Sequence, residues 1–549
     1  MRTVSQLRGC PRWSGGVIII LMLGLVGMAL THSSAAFGVT NSSTATRVYE
    51  VGDNDFRISD MGPDGSMEYD AETPAIAYNS TNNEYLAVWS ADDSIDGKRD
   101  IYGQRIDAAT GAAIGENDFR ISQMGGDDDQ FSDTSAPDVV YNSTTNEYFV
   151  VWEAEIVQDG DLPPILGIYG QRLSAETGAA IGADDFRIDQ DSADRSWYIP
   201  ASPAVTYNST NDEYLVVWQG NLAEDRSFEV VGQRLDSLGS VVGANEFLIS
   251  DMGPDNDGDS ALFTSRKPAV TYNVTDNEYF VVWSGDDDTA PLVDDEFEIF
   301  GQRLDATGTE VGANDFRISD IGPADDTAFA ANTPTVTYNS TAGEYLVAWS
   351  GGFDTFDPDS IDYQIFVQRL SGAGAELGAN DSQISDAGGN RIGYIAIDPA
   401  VVYNPANDEY LVTWAVDDAL GGEVEDEQEI FGQRLNGTTG AEIGDNDFRI
   451  SDMGPDEATD YNAFNPGVAY NSNGNGYLVV WNGDDDTTPL VDNEREVFGQ
   501  RLSDQPEPTP TPTPTDPAAT ATPPSTTPTP TPGIPPVDSP RTFLPLIIR

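Results

Sequence analysis

Three aspartates in one acidic stretch alternate with other residues in the way that Ca²⁺-binding loops require. Asp255, Asp257 and Asp259 belong to the run Asp-Asn-Asp-Gly-Asp, which offers alternating oxygen ligands and a glycine for the turn. The run lacks the glutamate that ends an EF-hand loop, and no helical pattern flanks it. Two interpretations stay open: a Ca²⁺ site or a solvated acidic turn. Calcium is the one cofactor that the sequence indicates.

A second group of candidates lies where an otherwise regular repeat changes. The stretches QDSADRSWYIP and AGGNRIGYIAID replace the usual loop sequence and introduce arginines and aromatic residues. In repeat proteins, loops that depart from the pattern often form the binding face. The alternative is simple sequence drift. The candidate ligand contacts are Arg195, Trp197, Tyr198, Arg391 and Tyr394.

The composition excludes several kinds of chemistry. The one histidine is His32 and the one cysteine is Cys10, and both lie near the N-terminus. Beyond them, disulfides, Cys/His metal sites and histidine-based triads cannot form, so no catalytic residue is assigned. With 93 acidic residues against 26 lysines and arginines, the net charge is −67. Nucleic acid is excluded as a partner because it is also a polyanion.

Residues 1–36 predict a secretory signal peptide. Three arginines precede an apolar stretch at 17–30, and small residues at 34–36 provide a cleavage site. An uncleaved membrane anchor is the competing interpretation, but the apolar stretch has 14 residues and a spanning helix needs about 20. The mature protein is therefore expected to be secreted, without a transmembrane span.

Four short sequence elements each recur seven times. A tyrosine that is followed by asparagine returns at intervals of 63 to 67 residues, and a tryptophan, a Gln-Arg pair and a mostly Phe-Arg-Ile-Ser element accompany it. The marker residues are Tyr78, Tyr141, Tyr207, Tyr272, Tyr338, Tyr403 and Tyr470; Trp89, Trp152, Trp218, Trp283, Trp349, Trp414 and Trp481; Arg105, Arg172, Arg234, Arg303, Arg369, Arg434 and Arg501; and Ile58, Ile121, Ile188, Ile249, Ile318, Ile384 and Ile450.

All four elements have the short, β-branched and aromatic-rich composition of strands. Four antiparallel strands repeated seven times predict an all-β fold, a seven-bladed β-propeller. The chain begins with the final type of strand, at Phe56–Ser59, and ends on the third type, at Gly499–Leu502. We therefore expect the N-terminal strand to pair with the C-terminal blade and close the ring. An open solenoid or a row of separate sandwiches is the alternative.

The expected propeller has two kinds of connection. The long ones, which carry most of the aspartate clusters, should all emerge on one face and make it electronegative, while short hairpin turns occupy the other. The abundant aspartate also suits adaptation to saline surroundings. The seven Gln-Arg pairs are regular enough to be structural, with each guanidinium bridging carboxylate and backbone oxygens of adjacent blades.

The remaining segments surround the propeller, which is expected at 51–503. Residues 37–50 form an N-terminal segment, and 504–540 are a Pro/Thr-rich linker that should be extended and without a core. The tail at 541–549 is apolar but far too short to span a bilayer. It is interpreted as a cell-surface attachment signal or as an apolar end without a role.

The repeat unit PAVTYN…EYLVVW…IFGQRLDATGTEVG…FRIS resembles tandem repeats of large secreted bacterial surface proteins, in which GFVVTW and YGQRFD…G…VG recur. The resemblance covers about 51–503 and implies an extracellular surface protein with no particular reaction. The tail, FLPLIIR, is similar to the YLPLV-like ends of other secreted bacterial proteins, with Phe543 where tyrosine is usual.

The leading functional hypothesis is an extracellular, non-enzymatic binding or adhesion module that recognises a carbohydrate or protein partner, with Ca²⁺ if the acidic loop holds it. The alternative is a carboxylate-based, glycosidase-like carbohydrate-active enzyme, since propellers host such sites. An enzyme should break the sevenfold pattern with carboxylates that converge at the channel mouth, and the sequence reveals no such cluster. A third hypothesis is a purely structural envelope protein.

Overall fold

The computed structural model contains 28 β-strands and, within the described residues, no helix. The strands form seven sheets of four antiparallel strands, which are arranged as a ring, so the predicted all-β, seven-bladed propeller is confirmed. The structure describes residues 47–506 except 67–68, 93–97, 125–131, 157–163, 190–197, 222–227, 253–263, 288–291, 294–295, 323–326, 354–361, 387–394, 418–427, 455–460, 486–488 and 492. The predicted signal peptide and tail lie outside the described residues.

Each blade begins with an inner strand that lines the ring axis, followed by a second strand. The inner strands are β2 (Ala71–Asn79), β6 (Ser132–Asn142), β10 (Ala201–Asn208), β14 (Thr264–Asn273), β18 (Phe329–Asn339), β22 (Ala396–Asn404) and β26 (Asn462–Asn471). The second strands are β3 (Glu84–Asp92), β7 (Glu147–Ile156), β11 (Glu213–Gly220), β15 (Glu278–Asp286), β19 (Glu344–Phe353), β23 (Glu409–Asp417) and β27 (Gly476–Asp484).

The third and outer strands complete the blades, which we number 1 to 7 from β2 onward. The third strands are β4 (Arg99–Asp107), β8 (Ile165–Ser174), β12 (Glu229–Asp236), β16 (Phe297–Asp305), β20 (Asp362–Ser371), β24 (Gln428–Asn436) and β28 (Arg495–Ser503). The outer strands are β5 (Ala113–Arg120), β9 (Ala180–Arg187), β13 (Phe247–Leu248), β17 (Glu310–Arg317), β21 (Glu376–Gln383), β25 (Glu442–Arg449) and, in blade 7, β1 (Tyr49–Arg57).

The ring closes as the sequence predicts. Strand β1 pairs antiparallel with β28, with Phe56 opposite Gly499 and Tyr49 opposite Ser503. The first strand of the chain thereby becomes the outer strand of the last blade. Because both ends of the ring share one sheet, the last three strands do not present an unpaired edge where the outer strand belongs.

The hydrophobic core lies between neighbouring blades. The second strands are buried on both faces, and their tryptophans are fully buried. Each apolar cluster joins two blades; in one of them, Leu215 and Val217 of blade 3 pack with Trp283 and Phe300 of blade 4. Burial of one large apolar side chain contributes about 1.5–3 kcal/mol. A single blade would leave this apolar surface in water, so the blades stabilise one another.

The strand order places the long connections on one face, as predicted. In each blade the chain runs through consecutive antiparallel strands, so both the connection into the inner strand and that between the second and third strands lie at the same end. The acidic clusters of these connections lie wholly or partly outside the described residues, so the electronegative face stays a prediction. No helix in the described ranges is long and apolar enough to cross a membrane.

An ion pair repeats at the hairpin-turn end of six blades. The arginine of each Gln-Arg pair binds the glutamate that begins the second strand of its own blade, at 2.7 Å in Arg105–Glu84. Three of these guanidinium groups also donate to a carbonyl of the next blade: Arg172 to Leu238, Arg234 to Thr307 and Arg303 to Ala373. The pairs are Arg105–Glu84, Arg172–Glu147, Arg234–Glu213, Arg303–Glu278, Arg369–Glu344 and Arg434–Glu409. The predicted structural role is thus confirmed for six of the seven arginines, with the difference that the carboxylate belongs to the arginine's own blade.

A buried pair of an acidic side chain and a serine recurs at the third strands. In blade 3 the Glu229 carboxylate accepts a hydrogen bond of 2.5 Å from the Ser250 hydroxyl, and in blade 1 Asp100 accepts one of 2.9 Å from Ser122. Burial raises the pKa of Glu229 to about 7, and that of Glu298 in blade 4 to about 7. These carboxyl groups therefore hold protons in the folded state at a pH where they are ionised in the unfolded chain.

In two blades other residues replace the acidic side chain or the serine of this pair, and a hydrogen-bond acceptor is kept. In blade 2, Gly167 takes the carboxylate position, and Asp189 takes that of the serine and accepts a 2.8 Å hydrogen bond from Arg187. In blade 5, Gln364 replaces the acid and accepts a 2.8 Å bond from Ser385. In both blades an acceptor is kept at the site, so these departures from the repeat are structural.

Glu409→Ala is expected to lower the free energy of unfolding by about 3–5 kcal/mol, because it removes the carboxylate that the buried Arg434 guanidinium binds. Chemical denaturation of the full chain measures the change. Glu310→Ala, at an exposed glutamate, is the control and should change it by less than about 0.5 kcal/mol. Equal effects of the two substitutions would contradict a role for the ion pair.

The melting temperature is expected to fall as the pH rises from about 5 to about 8. Over this range the folded state binds more protons than the unfolded state, because the pKa of groups such as Glu229 is raised to about 7 by burial. Glu229→Gln should flatten the pH dependence, whereas Glu310→Gln, which removes the same charge at the surface, should flatten it less. Thermal unfolding at several pH values measures both slopes, and equal slopes for the two variants would argue against this origin.

Candidate functional site

A backbone bulge near the start of every inner strand places seven prolines around the ring axis. The register between the inner and second strands shifts at this point in each blade, as between Glu72 and Ala75. Residues from all seven bulges line one cavity of about 320 Å³, which therefore lies on the axis. The pairs at the bulges are Thr73-Pro74, Ala136-Pro137, Ser202-Pro203, Lys267-Pro268, Thr333-Pro334, Asp398-Pro399 and Asn465-Pro466.

The residue before each proline has a left-handed backbone. The φ angles of these seven residues lie between 47° at Lys267 and 53° at Ser202. Two of the seven, Thr73 and Thr333, are β-branched. Such conformations are rare outside glycine and cost about 1–3 kcal/mol each. A bulge re-aims side chains and tolerates a proline within a sheet. Every blade therefore has one strained residue at the bulge, and the bulge turns the residues around the proline toward the axis.

Charged side chains break the sevenfold pattern in this cavity. The residue before the proline is small or neutral in five blades, but it is Lys267 in blade 4 and Asp398 in blade 6. The residue after the proline is alanine, threonine or glycine in six blades, but it is Asp138 in blade 2. At Asp189 and Gln364 the exchanged residue keeps a hydrogen-bond acceptor that the repeat has at that site. The three charged residues of the cavity do not replace a charged group of the repeat in this way.

Asp138 is held by the backbone of two blades. Its Oδ2 accepts a hydrogen bond of 2.7 Å from the Val205 amide of blade 3, and its Oδ1 accepts one of 2.8 Å from the Val139 amide. Burial nevertheless raises the pKa of Asp138 to about 6, because desolvation of the charged form outweighs both hydrogen bonds. A carboxyl group with this pKa can carry a proton at mildly acidic pH, as a general acid must.

A second acid of blade 2, Glu153, stabilises the bulge of blade 3. It follows Trp152 on the second strand, where other blades have uncharged residues. Its carboxylate accepts hydrogen bonds of 2.7 Å from the Ser135 hydroxyl and from the Ser202 amide. Since one oxygen of Glu153 binds the left-handed residue itself, we assign it a positioning role.

Asp398 of blade 6 and Lys267 of blade 4 line the same cavity. Burial raises the pKa of Asp398, and the Lys267 ammonium lowers it. The Asp398 amide donates to the Ser350 hydroxyl at 3.1 Å, which fixes the bulge against blade 5. The cavity thus combines two carboxyl groups in different electrostatic surroundings with one ammonium group, a combination that suits acid–base chemistry on a neutral, hydroxyl-rich substrate.

Of the ligand contacts predicted from sequence, Tyr198 lies within the described residues. Its ring is buried, and its hydroxyl accepts a hydrogen bond of 2.6 Å from Trp218 Nε1. Arg195, Trp197, Arg391 and Tyr394 lie outside the described residues. A ligand role for this group stays a prediction.

The predicted calcium ligands Asp255, Asp257 and Asp259 also lie outside the described residues. Within the described ranges, no group of three or more Asp, Glu, His or Cys side chains could hold a metal ion. Calcium binding therefore stays a prediction.

The axial residues Asp138, Lys267 and Asp398 were missed by sequence reasoning, although a signal for them exists. They stand beside the proline that opens each PAVTYN element, and comparison of that position among the seven units reveals the charges. From sequence, the candidate metal ligands are placed in the acidic loops instead, because several aspartates lie close together there. The bulge that turns these positions toward the axis is not visible in the hydrophobic pattern.

No protein-family model matches the chain, and no curated protein matches it. Several solved structures are similar to it. One is an α-L-arabinofuranosidase from Fusarium graminearum with an iminosugar inhibitor, at 13% identity and a TM-score of 0.35 over 82% of this chain and 98% of that chain. Another is a Penicillium chrysogenum α-L-arabinanase with arabinobiose, at 11% identity and a TM-score of 0.39 over 83% and 99%. A thermostable family-43 glycoside hydrolase has 14% identity and a TM-score of 0.32 over 58% and 96%.

One prediction is corrected here. The leading hypothesis of a non-enzymatic binding or adhesion module is replaced by its alternative, because the three solved structures named above belong to the class that the alternative named and none is a binding or adhesion module. The physical reason for the error lies in the axial cavity. Two carboxylates that break the sevenfold pattern, Asp138 and Asp398, line this cavity, but they lie on inner strands and not in the loops.

Lys267→Met is expected to raise the pKa of Asp398, because it removes the ammonium group that favours the charged carboxylate. Carboxyl NMR titration of the full chain measures that pKa. Lys98→Met is the matched control, since this other lysine beyond the N-terminal leader pairs with Asp100 in blade 1 and should leave Asp398 unchanged. An unchanged Asp398 titration in Lys267→Met would contradict the electrostatic coupling across the cavity.

Proposed function

We propose that the chain is a glycosidase-like, carbohydrate-active enzyme whose reacting groups line the axial cavity. One observation carries the proposal: the charged residues that break a sevenfold neutral pattern meet in the same cavity, and one of them is a carboxyl group whose pKa burial raises to about 6. Glycoside hydrolysis uses two carboxyl groups, one that donates a proton and one that acts on the other side of the sugar.

The roles follow from the surroundings of each group. Asp138, with its raised pKa, donates a proton to the glycosidic oxygen as the bond to the leaving group breaks. Burial raises the pKa of Asp398 and the Lys267 ammonium opposes that rise; in its ionised form Asp398 takes a proton from the attacking water. The Lys267 ammonium donates hydrogen bonds to sugar hydroxyls, and Glu153 positions the bulge of blade 3.

The enzyme is proposed to act outside the cell. The predicted signal peptide at 1–36 supports secretion, and the Pro/Thr-rich linker at 504–540 supports display away from a surface. Extracellular polysaccharide is then the substrate within reach. A Ca²⁺ site at Asp255, Asp257 and Asp259 and a ligand contact at Trp197 are proposed to contribute to substrate binding.

A hydrolysis screen tests the proposal with the full mature chain. The panel contains aryl glycosides and plant and bacterial polysaccharides, and it includes the α-L-arabinofuranosides named for the similar solved structures. On any substrate that is cleaved, Asp138→Asn should reduce kcat/KM by about 10²–10⁴, the contribution of a general acid. The wild-type rate should fall as the pH rises above about 6, because Asp138 then loses its proton.

Asp118→Asn is the matched control for this experiment. Asp118 is another buried carboxyl group whose pKa burial raises to about 7, but it lies on outer strand β5, away from the axis. It should leave kcat/KM within about twofold while it changes stability by a similar amount. Equal loss of activity in both variants, or no cleavage across the panel, would rule the proposed axial chemistry out.

A further inference from the structure

The closing blade lacks the glutamate that the other six blades use to bind their arginine. At the start of strand β27, Gly476 occupies the register position of Glu84 and Glu409. Arg501 keeps the arginine position, and it donates to the Ala109 carbonyl of blade 1, as Arg172 and Arg234 donate to carbonyls of their next blade. Among the described residues, no carboxylate forms an ion pair with Arg501, in contrast to the six pairs given above.

A cavity of about 310 Å³ occupies this place. Its lining includes Tyr85, Asn473, Gly476 and Arg501, and it lies at the hairpin-turn end of the seam between blades 7 and 1. The axial cavity lies toward the other end of the inner strands, where the bulges are. The two cavities are therefore separate, and the seam cavity belongs to no site already described.

The polar groups around the cavity match those that hold a carboxylate elsewhere in the ring. At the seam between blades 6 and 7, the Glu409 carboxylate binds Arg434 and also accepts a 2.8 Å hydrogen bond from the Tyr477 hydroxyl. At the closing seam the equivalent groups are Arg501 and the Tyr85 hydroxyl. Tyr85 is 1% exposed; burial raises the pKa of its hydroxyl, while a hydrogen bond with the Asn471 side chain and the nearby Arg501 charge oppose that rise.

The chain cannot easily supply the missing carboxylate from its own backbone position. A Cβ atom at residue 476 would lie 2.6 Å from the Leu502 carbonyl oxygen, closer than a real contact allows. Any side chain there needs a shift of strand β28. A carboxylate at this point is therefore accommodated better on a separate molecule than on residue 476.

We propose that the closing seam binds the carboxylate group of a small organic acid or of a uronic acid unit. The carboxylate pairs with the Arg501 guanidinium, accepts a hydrogen bond from the Tyr85 hydroxyl, and occupies the place that Glu409 and its counterparts fill elsewhere. The site ties the first and last blades together when it is filled, so its ligand stabilises the closed ring. This inference does not depend on the proposed enzyme activity.

Thermal unfolding of the full mature chain in sodium propionate tests the proposal, with sodium chloride of equal ionic strength as the reference. Propionate is the detached equivalent of a glutamate side chain. It should raise the melting temperature in a saturable way, and Arg501→Gln should abolish that shift. Arg434→Gln is the matched control: it should lower the melting temperature in both salts and keep the propionate shift.

Tyr85→Phe keeps the ring and removes the hydroxyl, so it should raise the propionate concentration at half effect several-fold. D-Galacturonate separates the two ligand sources, and D-galactose, which lacks the carboxylate, should not raise the melting temperature. A larger rise of the melting temperature with galacturonate than with propionate identifies a uronic acid, and equal rises identify the carboxylate alone. Equal melting temperatures in propionate and chloride, or a propionate shift that survives in Arg501→Gln, would overturn the proposal.

Discussion

The structure depends on apolar second strands that must be covered on both faces. Strands such as β3 and β27 are fully buried, and their core partners belong to the neighbouring blades. No blade can bury this surface alone, so each needs a neighbour on either side. A ring that shares one sheet between its two chain ends meets that need for all seven blades.

Such a ring imposes nearly the same environment at every blade. A residue that departs from the repeat can therefore be compared with its six counterparts to infer its role. A departure that is balanced within its own blade maintains the fold, as where Asp189 takes over for the acid that Gly167 lacks. A departure that is not balanced leaves charge or space for another molecule. Asp138 and Asp398 at the axis, and Gly476 at the closing seam, are of this second kind.

Much of the fold follows from the sequence. The spacing of the tyrosines and tryptophans gives the number of blades, and the position of Phe56–Ser59 before the first full unit gives the closure. These features are predictable because burial on both faces leaves a continuous apolar run in every unit. The bulges are less accessible, because a left-handed residue before a proline opposes the local preference of that pair.

The candidate site was harder to predict for the same reason. Charges such as Lys267 stand in a strand motif that is otherwise similar in all seven units, and the register shift turns them toward the axis. The seam cavity depends on contacts between residues more than 300 positions apart, such as Tyr85 with Arg501. Neither local propensity nor periodicity contains that information.

We propose that the unbalanced charges on the inner strands form a sugar-processing site on the ring axis. A crystal structure of the Asp138→Asn variant with an oligosaccharide substrate tests it most directly. The account predicts a sugar ring in the axial cavity, with hydroxyl groups hydrogen-bonded to Lys267 and a water molecule held by Asp398. An oligosaccharide bound elsewhere on the propeller, with the axial cavity filled by solvent alone, would contradict it.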